Sequence, residues 1–260
     1  MKAESNDSWK LLFTPDEDPY MNMAVDEALV SRCADSDNGL ATIRFYTWKE
    51  PSCSIGYFQK IETVFTTLKE DRIPVVCRPT GGGIVFHGND ITFSIVKRRV
   101  HDKTSGDISS FYKLIGESIL RGLKELGFAC NFYISEEAVL SSESGKENSR
   151  FRSTQHSVCS VTPARYDILI NGSKVAGYAA RRSQGVILCQ RYLDVYEIWK
   201  DIYNDFRLKM VDLLYSNLVN SFKEIFEITL TSVRLSVEEE VLAHQIKEEK
   251  YSRKKWNYRK

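Results

Sequence analysis

The sequence has no run of about 18 apolar residues, so it offers no helix able to span a bilayer. Met1 to Trp9 hold no apolar stretch of the secretory type, and the first apolar cluster is only Leu11-Leu12-Phe13. A cytoplasmic location is therefore expected. Charge of one sign is also lacking: 36 Lys plus Arg face 35 Asp plus Glu, which excludes a strongly basic, polyanion-seeking protein. The six cysteines (Cys33, Cys53, Cys77, Cys130, Cys159, Cys189) contain no CxxC pair and no Cys/His spacing. That scatter predicts no disulfide framework and no metal site, but buried free thiols for most of them. No internal repeat is present. With 42% hydrophobic residues in 260, the chain can bury a sizeable core as one domain over 1–260.

What is present is an alternation of strands and helices, an α/β pattern. Asp18 before Pro19 is a helix start, and Met21, Ala24, Val25 and Ala28 recur behind it at helical spacing, which predicts a helix over 19–34. Strands are expected over 41–48, 53–56, 75–78 and 91–96, and a helix over 59–69. Tyr112, Ile115, Ile119, Leu123 and Leu126 form one stripe, with Gly127 as the stop, so a helix is expected over 108–126. Residues 135–155, rich in Ser, Glu and Lys without periodicity, are expected to form an exposed loop. Strands over 166–170 and 174–178 flank Asn171-Gly172, a hairpin signal, and another strand is expected over 186–193. From about 204 to 260 the pattern is helical, ending in a helix over 237–246.

Three constellations could carry chemistry. Arg78-Pro79-Thr80-Gly81-Gly82-Gly83 followed by His87 places a triple-glycine turn between two strands, where bare backbone can approach a ligand and donate N–H groups. It lacks the Lys-Ser/Thr ending and strand-to-helix context of a phosphate loop. Taken alone, three glycines also suit a plain strained turn, and a lone histidine is ordinarily structural; Arg78 and His87 together add the functional reading. Cys159 follows the polar loop and precedes Pro163, instead of sitting in an apolar alternating run as Cys77 and Cys189 do, so its thiol can be partly exposed as a nucleophile requires. Lys174 stands just after the hairpin turn, with Ala176, Gly177, Ala179 and Ala180 following. A lysine there is normally a solvated edge charge, whereas one facing a pocket would pair with developing negative charge.

Further segments extend the pattern: Asn22 to Glu27, Ile43 to Trp48 and Ser54 to Gln59 before the glycine turn, then Gly172 to Gly177, all in order. Together they resemble the lipoate–protein ligase and octanoyltransferase superfamily, over residues 10 to 260. Within it the chain is most similar to the cysteine-dependent octanoyltransferases, whose Cys, Pro, Tyr and acidic spacing is met by Cys159, Pro163, Tyr166 and Asp167. Ser160 departs from the aromatic that often follows the cysteine, and Gly88-Asn89-Asp90 loosens the usual His-Asp step. The resemblance implies a mixed, antiparallel-rich sheet flanked by helices, as in biotin and lipoate protein ligase catalytic domains. It also implies transfer of octanoyl from octanoyl-acyl carrier protein, through a thioester on Cys159, to a lysine of a lipoyl domain of a 2-oxoacid dehydrogenase E2 subunit or of glycine cleavage H protein. Lys174 would hold the thiolate and the oxyanion. Arg78, Thr80, Gly81, Gly82, Gly83 and His87 would line one wall of the acyl tunnel and Gly177 the other. No cofactor, metal, nucleic acid or membrane is expected. An ATP-dependent ligase, which would need ATP and Mg, and an octanoyl amidotransferase acting between lipoyl domains are the alternatives. The basic run Lys247 to Lys260 either steers an acidic partner or is a solvated end without a role; equal loss of activity with a carrier-bound and a small uncharged donor, on reversing its charges, would instead mean that it is structural, packed over the sheet through Trp256.

Overall fold

The computed structural model describes residues 7–36, 39–62, 73–88, 90–98, 108–133, 166–199 and 204–258. In chain order the strands are β1 (Asp7–Glu17), β2 (Thr42–Trp48), β3 (Ser52–Ile55), β4 (Val75–Cys77), β5 (Val85–His87), β6 (Asp90–Arg98), β7 (Cys130–Phe132), β8 (Ile168–Ile170), β9 (Ser173–Ser183), β10 (Val186–Asp194) and β11 (Ile228–Ser232). The helices are α1 (Pro19–Asp35), α2 (Ile108–Glu125), α3 (Val195–Ile198), α4 (Asn204–Phe226), α5 (Val237–Ile246) and α6 (Lys254–Asn257), with a π-helical turn at Lys247–Tyr251. None of the described helices is long and apolar enough to cross a membrane.

Eight strands form the main sheet in the order β11-β1-β2-β6-β10-β9-β8-β7, and β4-β3-β5 form a second, small sheet. Pairing is parallel for β11, β1 and β2 and antiparallel from β2 through to β7. The mixed, antiparallel-rich sheet flanked by helices is therefore as expected. Helices α2 and α4 cover one face, burying Phe93, Ile95, Ile115, Leu218 and Phe222. Helix α1, α5 and the π turn cover the other, burying Met23, Ala28, Tyr46, Leu188 and Tyr251. Because both faces are covered, β10 is buried along nearly its whole length, which is why Val186 to Leu193 carries little polar alternation.

Local chemistry sets the boundaries. The Asp18 carboxylate accepts from the N–H groups of Tyr20 and Met21, both at 3.0 Å, and Pro19 fills the first turn of α1. Asn171 and Gly172 both take positive φ (50° and 80°), the backbone a two-residue hairpin between β8 and β9 requires. Four strands were not expected: β1, β5, β7 and β11. Leu11-Leu12-Phe13 is the middle of an 11-residue strand, β1, and β11 interrupts the helical region expected over 204–260. Strands β5 and β7, of three residues each, are too short to show a period, and β1 and β11 pair in parallel from remote parts of the sequence, which no local signal reveals. The helix expected over 59–69 lies mostly outside the described residues, as do the loop over 135–155, Cys159 and Pro163.

Candidate active site

A cleft with about 390 Å³ of empty space, its open mouth included, lies on the α1 side of the sheet, where β2, β6, β9 and β10 meet the small sheet. Met23, Trp48, Ser54, His87, Gly177 and Tyr192 are among its walls. Its surface is mostly apolar, the character an alkyl chain requires.

The glycine turn stands behind one wall. Arg78, on the strand exit after β4, donates to the backbone oxygens of Ser54 (3.0 Å), Gly81 (2.8 Å) and Gly83 (2.7 Å). The guanidinium thus holds the turn in shape, a task for a fixed fork of donors. Gly82 adopts φ 89°, and a Cβ on Gly56 would lie 1.9 Å from the Gly82 oxygen, so two glycines permit the close approach of these segments. Thr80 is fully buried and donates to Gln190 Oε1 at 2.6 Å. Gln190 Nε2 in turn donates to Asp26 Oδ2 at 2.7 Å, and Asp26 is paired with Arg44 at 2.8 Å, with neither side chain exposed. Of the residues expected to line the tunnel, Arg78, His87 and Gly177 reach the cleft; Thr80 and the three glycines are not among its lining residues.

His87 is held on three sides. Its Nδ1 lies 2.7 Å from Asp90 Oδ2, its Nε2 lies 2.8 Å from Ser54 Oγ, and its ring stacks on Trp48 with centroids 3.7 Å apart. The loosened Gly88-Asn89-Asp90 step is thus closed in space. Asp90 also accepts from the Gly88 N–H and the Thr92 hydroxyl. Burial acts to raise the Asp90 pKa, but the charge of His87 and these hydrogen bonds outweigh it and hold the carboxyl below the usual range.

Behind the opposite wall, which Gly177 and Tyr178 line, the Lys174 side chain is 4% exposed and its Nζ lies 2.7 Å from Asp167 Oδ2. It is not a solvated edge charge. Gly177 makes room for it: a Cβ there would lie 3.0 Å from Lys174 Cε, 3.2 Å from Nζ and 2.9 Å from the Tyr192 ring. Tyr166, just before Asp167, takes φ 70°, a left-handed backbone that bulky residues rarely adopt. The other cysteines, Cys33, Cys53, Cys77, Cys130 and Cys189, are buried free thiols, as expected for most. Burial pushes Cys53 to about 12 and Cys189 to about 11, so neither is a ready thiolate. Sequence reasoning assigned no role to Ser54, Asp90 or Asp167. Asp167 and Asp90 stood only as motif positions, the acidic residue after Tyr166 and the one three beyond His87, and Ser54 only as the start of a matched segment.

Residues 18–198 match the lipoyl protein ligase A/B catalytic domain family. The chain belongs to that family. Among named relatives, the octanoyltransferase LipM of Halalkalibacterium halodurans is 32% identical over 285 residues, covering 98% of this chain and 100% of that one. LipM of Bacillus subtilis is 30% identical, covering 98% and 99%. The fold is also that of a lipoate-protein ligase A solved with ATP, with a TM-score of 0.70 at 24% identity and coverage of 97% and 98%.

This lipoyl ligase family member also uses residues beyond the matched span to brace the site. Lys247 pairs with Asp18 at 2.8 Å, and Lys250 (2.6 Å) and the Tyr251 hydroxyl (2.5 Å) both reach Glu27 of α1. Trp256 Nε1 donates to the Cys77 oxygen at 2.8 Å. The basic run is therefore packed on the domain through Trp256, leaving Arg253, Lys254 and Lys255 exposed.

Proposed function

We propose that the protein moves octanoyl from acyl carrier protein to a lysine of a lipoyl domain, on a 2-oxoacid dehydrogenase E2 subunit or glycine cleavage H protein, through a thioester on Cys159. It is an octanoyltransferase of lipoate biosynthesis, and hence an acyltransferase. The observation that carries the mechanism is the buried Lys174–Asp167 pair, whose cation packs against Gly177, a residue of the cleft wall. A cation fixed there opposes negative charge at a neighbouring sulfur or carbonyl oxygen, which is what acyl transfer needs.

The Cys159 thiolate attacks the donor carbonyl, Lys174 stabilises the tetrahedral oxyanion, and the carrier leaves as its thiolate. This exchanges one thioester for another, close to isoenergetic, so no nucleotide is required. The acceptor amine then attacks the acyl-enzyme, the Cys159 sulfur leaves with the amine's proton, and an amide forms, which makes the second half downhill. An eight-carbon chain buried at about 0.8 kcal/mol per CH₂ supplies several kcal/mol of binding in the apolar cleft. The reaction is placed in the cytoplasm, without cofactor or metal.

The test is intact mass after mixing the protein with octanoyl-acyl carrier protein in the absence of ATP. A gain of one octanoyl group, mapped to Cys159 and lost in Cys159→Ala, is expected. Transfer that survives in Cys159→Ala and needs ATP and Mg would favour a ligase; acylation only from an octanoylated lipoyl domain would favour an amidotransferase.

A further inference from the structure

Ser54, His87 and Asp90 form a hydroxyl–imidazole–carboxylate chain that the transfer through Cys159 does not use. Ser54 Oγ lies 2.8 Å from His87 Nε2, and His87 Nδ1 lies 2.7 Å from Asp90 Oδ2. These are the contacts by which a serine nucleophile, its general base and the group orienting that base are recognised, whatever the fold.

We infer that Ser54 is a second acyl-accepting nucleophile, giving the protein an esterase and thioesterase activity toward apolar acyl chains that is independent of Cys159.

Four observations support this. First, Ser54 and His87 both line the mostly apolar cleft, so an acyl chain seated there brings its carbonyl to a wall that carries the hydroxyl. Second, the carboxylate is itself fixed, accepting from the Gly88 N–H at 3.0 Å and the Thr92 hydroxyl at 2.7 Å, while Thr92 accepts from the Trp48 indole at 2.9 Å. An Asp so held takes the proton of Nδ1 as its partner and leaves Nε2 to accept from the serine. Third, the Trp48 ring lies parallel to the imidazole, within 15° and with centroids 3.7 Å apart, where its π face favours the imidazolium formed when the serine gives up its proton. Fourth, Arg78 Nη1 donates to Ser54 Oγ at 3.1 Å, placing a permanent cation next to the oxygen that must become nucleophilic.

The step balances with water as the only co-reactant. The Ser54 hydroxyl proton passes to His87 Nε2 as Oγ bonds to the acyl carbon. The carbon–oxygen or carbon–sulfur bond to the leaving group breaks, and the leaving group takes the proton from His87. Water repeats the sequence on the seryl ester, releasing the free acid and restoring the hydroxyl.

The test uses full-length Cys159→Ala protein, so the outcome does not depend on the thiol pathway. It is treated with a fluorophosphonate and, separately, with p-nitrophenyl octanoate. The expected results are a phosphonyl adduct mapped to Ser54 and ester hydrolysis above buffer. That hydrolysis should fall at least about 100-fold in Cys159→Ala/Ser54→Ala and at least about tenfold in Cys159→Ala/Asp90→Asn. The adduct is read with Ser54 and Asp90 intact, so a variant that fails to fold leaves the test standing. Absence of a Ser54 adduct on the folded protein, or hydrolysis unchanged without Ser54, would overturn the inference.

Discussion

Among the described residues, two buried carboxylates pair with an arginine or a lysine, and the two pairs are built differently. Asp26 and Arg44 sit at the centre of the α1 face. Both Asp26 oxygens accept hydrogen bonds, from Arg44, Ser94, Tyr46 and Gln190, while Arg44 also donates to Asn22 and Thr14. Asp167 and Lys174 are almost as buried, and the Lys174 stem fills the room that Gly177, a residue of the cleft wall, leaves by having no side chain. Arginine's rigid fork suits the first, where geometry is locked by many partners. A lysine's single charge on a flexible stem suits the second, where we propose that it meets charge that develops and disappears during acyl transfer. On that proposal burial alone does not separate structure from chemistry; the identity of the cation and its place beside the cleft do.

The strongest break of this contrast is Asp26→Ala, which strands the Arg44 charge in the interior. We expect a loss of about 3–5 kcal/mol of stability in denaturant unfolding, with the activity of the remaining folded molecules near wild type. Lys174→Ala should do the reverse, lowering kcat about 10²–10³-fold with the circular dichroism spectrum unchanged. Lys174→Arg should be similarly poor, because a planar fork does not fit the room that the lysine stem fills against Gly177. Gly177→Ala sharpens the comparison by crowding that room while removing no charged group. Its methyl would press on the Tyr192 ring and the Lys174 stem, so transfer should drop about tenfold while stability falls by about 1–3 kcal/mol.

A third carboxylate, Asp90, extends the test to pH. Its native pKa is lowered, so the stability it contributes is present above the unfolded value of 3.8 and is lost as pH falls below it. The melting temperature of wild type should therefore fall more steeply than that of Asp90→Asn below about pH 4, as read by thermal scans across pH. The smallest effect concerns the exposed end of the basic run. Reversing Lys254 and Lys255 to Glu should raise KM for a carrier-bound donor severalfold and flatten its salt dependence. The rate with a small uncharged octanoyl thioester should stay constant.

Much of the fold was legible because local signals agreed with the tertiary result. Asp18-Pro19 opens α1, Asn171-Gly172 turns the hairpin, and the stripe from Tyr112 to Leu123 lies on α2. Strands β1 and β11 were not legible, since their parallel pairing depends on residues more than 200 positions apart. At the site, Lys174 could be named from its place after the hairpin and from the family resemblance, but its partner could not. Asp167 meets it across the β8–β9 pairing, in which Leu169 stands opposite Lys174 and the register shifts between Ile168 and Leu169. Asp90 was obscured by Gly88-Asn89, which lengthens the step from His87 in sequence without lengthening it in space. Arg78, read as tunnel wall, does line the cleft, and it also braces the backbone of its own turn and the carbonyl and hydroxyl of Ser54 on β3.

Strand β4 lies at the margin of the small sheet, with β3 on one side only. On its other side, Asn257 Oδ1 accepts from the Cys77 N–H at 3.0 Å and the Trp256 indole donates to the Cys77 carbonyl. Side chains of α6 thus occupy the ladder groups that another strand would seek. A bare margin of this kind invites the same strand of a second molecule, and from there aggregation. The short segment after the π turn is therefore also a guard against self-association, and its removal would turn a folded catalyst into an adhesive one.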